Sequence, residues 1–180
     1  VSGLEQRIVL APTDGSLGPL LRIADDRLAP GTGYGRHEHR DVDVVAVVLA
    51  GSLHHGWGDG VDLAAGDVGV LRAGSGLTHD EVAGDDGARA LQCYLRSADP
   101  GAPPSYGVHR VEDGWVDLRR PDARLWRSRV TPGDAVPAGL LLLRGADGVL
   151  VEQQDGRQVE EAGMALVWQL DVARPAWARD

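Results

Sequence analysis

Lysine, phenylalanine and asparagine are missing from this 180-residue chain, and isoleucine occurs only as Ile8 and Ile23. All 18 basic residues are therefore Arg, a bias that reads as the codon usage of a GC-rich genome and not as function. The single cysteine, Cys93, excludes an internal disulfide and a Cys-rich zinc site. It sits in an apolar run and is expected as a small buried hydrophobe. Basic groups are outnumbered 27 to 18, for a net charge of −9. That balance argues against nucleic acid or an anionic membrane as partner, since both need positive surface. No apolar run approaches the ~20 residues of a membrane span. The N-terminus lacks a basic-then-apolar leader, so a cytoplasmic protein is expected.

What is abundant is the punctuation of β-structure, with 25 Gly and 10 Pro. Short Val/Leu/Ala runs recur between Gly, Asp and Pro: Val44 to Leu49, Val68 to Leu71, Ala90 to Leu95, Leu140 to Leu143 and Ala165 to Leu170. Asp59-Gly60 and Asp155-Gly156 read as hairpin turns, and Gly84-Asp85-Asp86-Gly87 as a turn before the third run. This pattern predicts an all-β sandwich or barrel. The stretch Ser97 to Tyr106, with Pro100, Pro103 and Pro104, reads as a linker or an arm crossing between two halves. Those halves resemble each other in register. Gly51-Ser52-Leu53 aligns with Gly148-Val149-Leu150, Ala65-Gly66 with Ala162-Gly163, and Val70 with Val167. Two related β-units in tandem are expected, divided as residues 1–105 and 106–180.

The chemistry concentrates in the first half. His37-Glu38-His39 is an H-x-H, and on a strand both imidazoles face one way while Glu38 faces the other. His79-Asp80-Glu81 is an H-x-E with the same alternation. Two such strands side by side would bring three imidazoles and one carboxylate to a point. Such a set suits Fe(II), Mn, Ni, Co, Cu or Zn. Shifted into the second half, the positions of His37, His39 and His79 carry Asp134, Val136 and Ala176, so one ion per chain is expected. His54 and His55 are strand neighbours, and only one can face the interior as a pocket base. Trp57, Tyr94 and Tyr106 are candidates for an aromatic pocket. Trp115, Trp126, Trp168 and Trp177 are expected in the core of the second half, and His109 as structural. Gly31-Thr32-Gly33-Tyr34-Gly35 lacks the Lys of a phosphate loop.

The run Gly31, His37-Glu38-His39-Arg40, Asp43, Val48-Leu49-Ala50-Gly51, His55, Gly66-Asp67, Ala73-Gly74-Ser75-Gly76, His79-Asp80-Glu81 resembles the pirin branch of the cupin superfamily. The resemblance spans roughly residues 18–110 and weakens beyond. It implies double-stranded β-helix barrels, a metal-binding N-terminal cupin followed by a shorter, degenerate cupin-like half. It also implies one divalent ion, iron first, on His37, His39, His79 and Glu81. Asp43 stands at the acidic position of the first motif and is expected to orient a His N–H from outside the ligand set, or else to be a solvated strand-end Asp. Family members include quercetin 2,3-dioxygenases and a nuclear transcription cofactor of animals. The chain departs from the pattern at Glu38, Val42 and Gly56-Trp57, which alters the lining of the site. The function expected is a dioxygenase acting on a small flavonol, catechol or enol with dioxygen, in which Glu81 accepts the substrate proton. The alternatives are a non-oxidative cupin isomerase, cyclase or decarboxylase, and a metal- or redox-sensing regulator.

Overall fold

The structure is a computed structural model, and it describes residues 3–110, 113–145 and 148–173. Among these every regular element is a strand, as the Gly-punctuated apolar runs predict, and no helix is long and apolar enough to cross a membrane. The chain divides into two compact units. One comprises residues 1–14 and 20–110; the other comprises residues 15–19 and 111–180.

The first unit contains β1 (Leu4–Leu10), β2 (Leu20–Leu28), β3 (His37–His39), β4 (Val42–Gly56), β5 (Val61–Ala64), β6 (Val68–Arg72), β7 (Leu77–Arg96) and β8 (Ser105–His109). Its spine is the antiparallel ribbon of β4 and β7. Residues 42–48 of β4 pair with residues 90–96 of β7, and residues 53–56 pair with residues 80–83. Between these stretches the register slips, with Ser52 alone facing residues 84–87. The Gly84-Asp85-Asp86-Gly87 segment is therefore a bulge inside one long strand and not a turn between two. Bulges bend the strand that carries them. Gly51 lies in the left-handed region (φ 68°), and a Cβ there would collide with the carbonyl oxygen of Gly87. Past the bend, the leading half of β7 pairs with β3, while the trailing half pairs with β2. The sheet runs β1-β2-β7-β4-β6-β8, with β3 joined to β7 and β5 to β4.

Apolar side chains inside this curl form the core. Leu28, Val48, Leu53, Leu63, Ala83, Ala88 and Ala90 make one cluster. Val44, Leu71 and Leu77 make another, against which Val42, Trp57, Tyr94 and Tyr106 pack. Cys93 is fully buried, as its apolar surroundings predict. The Pro-rich arm joins β7 to β8, and β8 completes the first unit by pairing with β6.

The second unit contains β9 (Gly114–Val116), β10 (Ala123–Val130), β11 (Ala135–Val136), β12 (Gly139–Arg144), β13 (Val149–Gln154), β14 (Arg157–Gln158) and β15 (Gly163–Leu170). Five of them form the sheet β13-β12-β15-β10-β9, and β11 pairs with β14. Val130, Val136, Leu141, Leu143, Val159, Ala165 and Val167 form its core, with Trp126 packed on it. Trp168 is buried as expected. Trp115 differs: it is 38% exposed, and the Arg124 guanidinium covers it at 4.1 Å. A cation over an indole face shields the ring without burying it. Trp177 lies outside the described residues.

Candidate metal centre

The three-residue strand β3 owes its place to glycine. A Cβ on Gly33 would collide with the Glu81 carbonyl oxygen, so this close approach of backbone to β7 is open only to Gly. Tyr34 N–H then donates to the same carbonyl at 3.1 Å. The register sets His37 opposite His79 and His39 opposite Leu77. Strand alternation turns His37 and His39 to one face, and pairing brings His79 to both.

The three imidazoles meet through their outer nitrogens. His37 Nε2 lies 3.0 Å from His39 Nε2 and 3.1 Å from His79 Nε2. The rings stand 4.5–5.0 Å apart, centre to centre. His79 is only 2% exposed, while His37 and His39 are half-buried.

The remaining ring nitrogens determine where the protons are. His37 Nδ1 lies 2.8 Å from the Gly35 carbonyl, which can only accept, so Nδ1 carries the proton and Nε2 is bare. His55 Nδ1 is buried with no hydrogen-bond partner, and His55 Nε2 faces His79 Nδ1 at 2.8 Å. A neutral His79 that donates from Nδ1 to His55 Nε2 has a bare Nε2 as well. In those neutral tautomers two bare nitrogens face each other across 3.1 Å. Burial, reinforced by the neighbouring imidazoles, pulls His79 down to about 3; burial, then His37 and Arg22, pulls His39 down to about 4. Lone pairs converging in this way call for a cation. Cis nitrogens on an octahedral ion at about 2.1 Å stand about 3.0 Å apart, so the donor set fits a first-row divalent metal.

The other expected residues take distinct places. Glu81 projects from the same face of β7 as His79 and is buried, but its carboxylate lies outside the three-nitrogen group. Its Oε2 accepts from Gln92 Nε2 at 3.0 Å. Burial drives its pKa up to about 7; the Gln92 bond opposes the rise, and the Asp26 charge adds to it. Asp43 is buried on β4 opposite Arg72 and Leu95, not solvated at a strand end. Of the adjacent pair, His55 faces inward at 1% exposure and stacks on Tyr106 at 3.7 Å. His54 is exposed and bonds Asp62 at 2.7 Å. Tyr94 meets His39 edge-on at 5.7 Å, with the Arg22 guanidinium 4.1 Å over its ring. Trp57 packs on the same cluster as Tyr94 and Tyr106.

Sequence reading missed a polar chain beside the imidazoles. Tyr34 donates to Asp26 Oδ2 at 2.8 Å, Gln6 donates to the same oxygen at 3.1 Å, and Gln92 Nε2 reaches Tyr34 Oη at 3.4 Å as well as Glu81. The available signals were a carboxylate and an amide, Asp26 and Gln92, inside strands that otherwise read as apolar.

Comparison with known proteins agrees with this arrangement. Residues 12–95 match the family model described as Pirin. A pirin-like protein of Caulobacter vibrioides is 33% identical over 99 residues, covering 53% of this chain and 43% of that protein. A quercetin 2,3-dioxygenase of Escherichia coli is 29% identical over 108 residues, covering 57% and 47%. The chain thus matches under half the length of these curated relatives. The crystal structure of YhhW from Escherichia coli superposes with a TM-score of 0.78 at 18% identity, covering 97% of this chain and 93% of that one. The same bacterial pirin in complex with nickel(II) gives 0.75 at 20% identity, covering 95% and 93%. The two units therefore share the fold of the bacterial pirins.

Proposed function

Because residues 12–95 match the Pirin family model, we propose that the chain is a pirin-like protein whose first part, residues 1–105, is a metal-dependent oxygenase domain, and that residues 106–180 are a degenerate, metal-free cupin-like domain. His37, His39 and His79 hold one divalent ion with Glu81 as the fourth ligand. Fe(II) is the leading ion, with Ni, Mn, Co, Cu and Zn as alternatives. The observation that carries this reading is the convergence of three imidazoles, with His37 Nε2 3.0 Å from His39 Nε2 and 3.1 Å from His79 Nε2.

A divalent ion here supplies positive charge that lowers the pKa of an enol or phenol hydroxyl beside it. The chain's own groups do the rest. Glu81, on loosening from the ion, accepts the substrate proton. Tyr94, Trp57 and Tyr106 offer flat apolar surface to an aromatic ring. The Arg22 guanidinium over Tyr94 adds positive charge on the side where an anionic oxygen would lie. The substrate class is a small flavonol, catechol or enol, with dioxygen as co-substrate and the cytoplasm as the place of action.

The test is reconstitution with Fe(II) followed by quercetin in air. Dioxygen uptake is expected to match flavonol loss one for one, and His79→Ala should lose both the ion and the uptake. A loaded protein that takes up no dioxygen with flavonols, catechols or enols overturns the oxygenase reading. A wild-type chain that holds no divalent ion overturns the centre itself.

A further inference from the structure

The chain Asp26–Tyr34–Gln92–Glu81 is a continuous polar run in the interior of the first unit. Asp26 is fully buried and Gln92 is 2% exposed. Gln92 stands on β7 between Ala24 of β2 and Ala46 of β4, its cross-strand neighbours on either side. With two methyl groups beside it, the amide is the longest side chain of that row. An apolar residue would fill the place without leaving Gln92 Oε1 buried and unpartnered, as it is here. Keeping an amide there needs a reason.

The orientation of that amide is forced. Tyr34 Oη lies 2.8 Å from Asp26 Oδ2, and its proton is committed to that carboxylate. Tyr34 Oη is then an acceptor toward Gln92, and the ionised Glu81 carboxylate is an acceptor as well. Both need a donor, so Nε2 must face both, at 3.4 Å and 3.0 Å. A flipped amide would set Oε1 against two proton-free oxygens and lose both bonds.

We propose that Gln92 is the positioning residue of the metal centre: held in one orientation by Asp26 and Tyr34, its amide N–H keeps the Glu81 carboxylate in one rotamer, ready for the ion. This rests on the reading of Glu81 as fourth ligand. Outer partners of this kind typically change metal affinity by ~10–100-fold. Tyr34→Phe removes only the hydroxyl, frees the amide to flip, and should have a smaller effect in the same direction.

The experiment is Co(II) binding to the full chain, measured by chelator competition together with the visible absorption spectrum of the bound ion. Gln92→Leu should bind Co(II) roughly 10–100-fold more weakly than wild type, with an altered spectrum, while the metal-free protein keeps its melting temperature. Tyr34→Phe should lose a few-fold, and it decides the matter if Gln92→Leu does not fold. Glu81→Gln is the reference and should weaken binding at least as much. If Glu81→Gln weakens binding and the Gln92 and Tyr34 variants bind with wild-type affinity and spectrum, the positioning role is wrong and the ligand reading stands. If Glu81→Gln itself binds like wild type, both fall. If His79→Ala retains Co(II), the centre as a whole is misassigned and the positioning role goes with it.

Discussion

His79 Nδ1 lies 2.8 Å from His55 Nε2, and the two rings are among the most buried polar groups of the first unit. The contact works because His55 is itself fixed, stacked on Tyr106 with the ring planes 8° apart. His55→Phe keeps the stack and removes the hydrogen-bond partner of His79 Nδ1, so His79 no longer has one preferred tautomer. Metal affinity should fall ~10–100-fold by the usual cost of losing an outer-shell partner. Chelator competition reads this directly. Wild-type affinity in His55→Phe would show that the tautomer of His79 is set by something else.

How much of this was legible depends on the reach of each pattern. That His37 and His39 share a face follows from the period of two along a strand, and needs no tertiary knowledge. That one of His54 and His55 turns inward follows from the same period; which one does not. The all-β class was visible because Gly and Asp interrupt every apolar run. Local patterns misread the β7 bulge, because Gly-Asp-Asp-Gly looks the same whether it ends a strand or bends one. The Asp26–Tyr34–Gln92 chain was illegible for a different reason. Its members come from β2, from the loop before β3 and from β7, and only strand pairing brings them together. Trp115 was misplaced because an indole can be covered by an Arg on the surface as well as by a core.

The pairing of β2 with β7 carries a buried ion pair that makes a sharper stability prediction. Arg89 donates to both carboxylate oxygens of Asp25, at 2.8 and 2.5 Å, and the two side chains are 11% and 5% exposed. Removing one partner strands a charge in a dry environment, which typically costs about 3–5 kcal/mol. Asp25→Ala and Arg89→Ala should each lower the unfolding free energy, read from denaturant melts, by that amount. Replacing both with apolar residues, Asp25→Leu with Arg89→Met, should recover most of the loss. Additive losses in the double variant would mean that the pair is uncoupled.

Gly33 offers a steric test that is free of left-handed backbone. A Cβ there meets the Glu81 carbonyl, so Gly33→Ala must push the loop before β3 off β7. The expected cost is about 1–3 kcal/mol of overpacking, with a loss of metal affinity because His37 and His39 follow on the displaced strand. Gly107→Ala is the control, since nothing lies within 4 Å of its Cβ. Thermal melting and Co(II) titration of the two variants separate the outcomes. A Gly33→Ala protein with the stability and affinity of Gly107→Ala would mean that β3 is not held by this contact.

The metal-free protein should have a characteristic pH profile, because buried groups of opposite type titrate in adjoining ranges. Burial raises Glu81 to about 7 from 4.5, so the folded state binds more protons than the unfolded one between those values. Its contribution to stability therefore grows as pH falls through 7. Burial lowers His39 and His55 to about 4 and His79 to about 3, from 6.5. For these the unfolded state binds more protons below 6.5, so their contribution is complete above that pH and is lost as pH falls toward 4. Three imidazoles outweigh one carboxyl, so stability should change little between pH 8 and 6.5 and then fall steeply to pH 4. Urea midpoints of the metal-free protein across that range measure it. His55→Phe removes one titrating group and should flatten the acid limb, whereas Glu81→Gln should steepen it between pH 7 and 5. An acid limb as steep in His55→Phe as in wild type would remove that imidazole from the account.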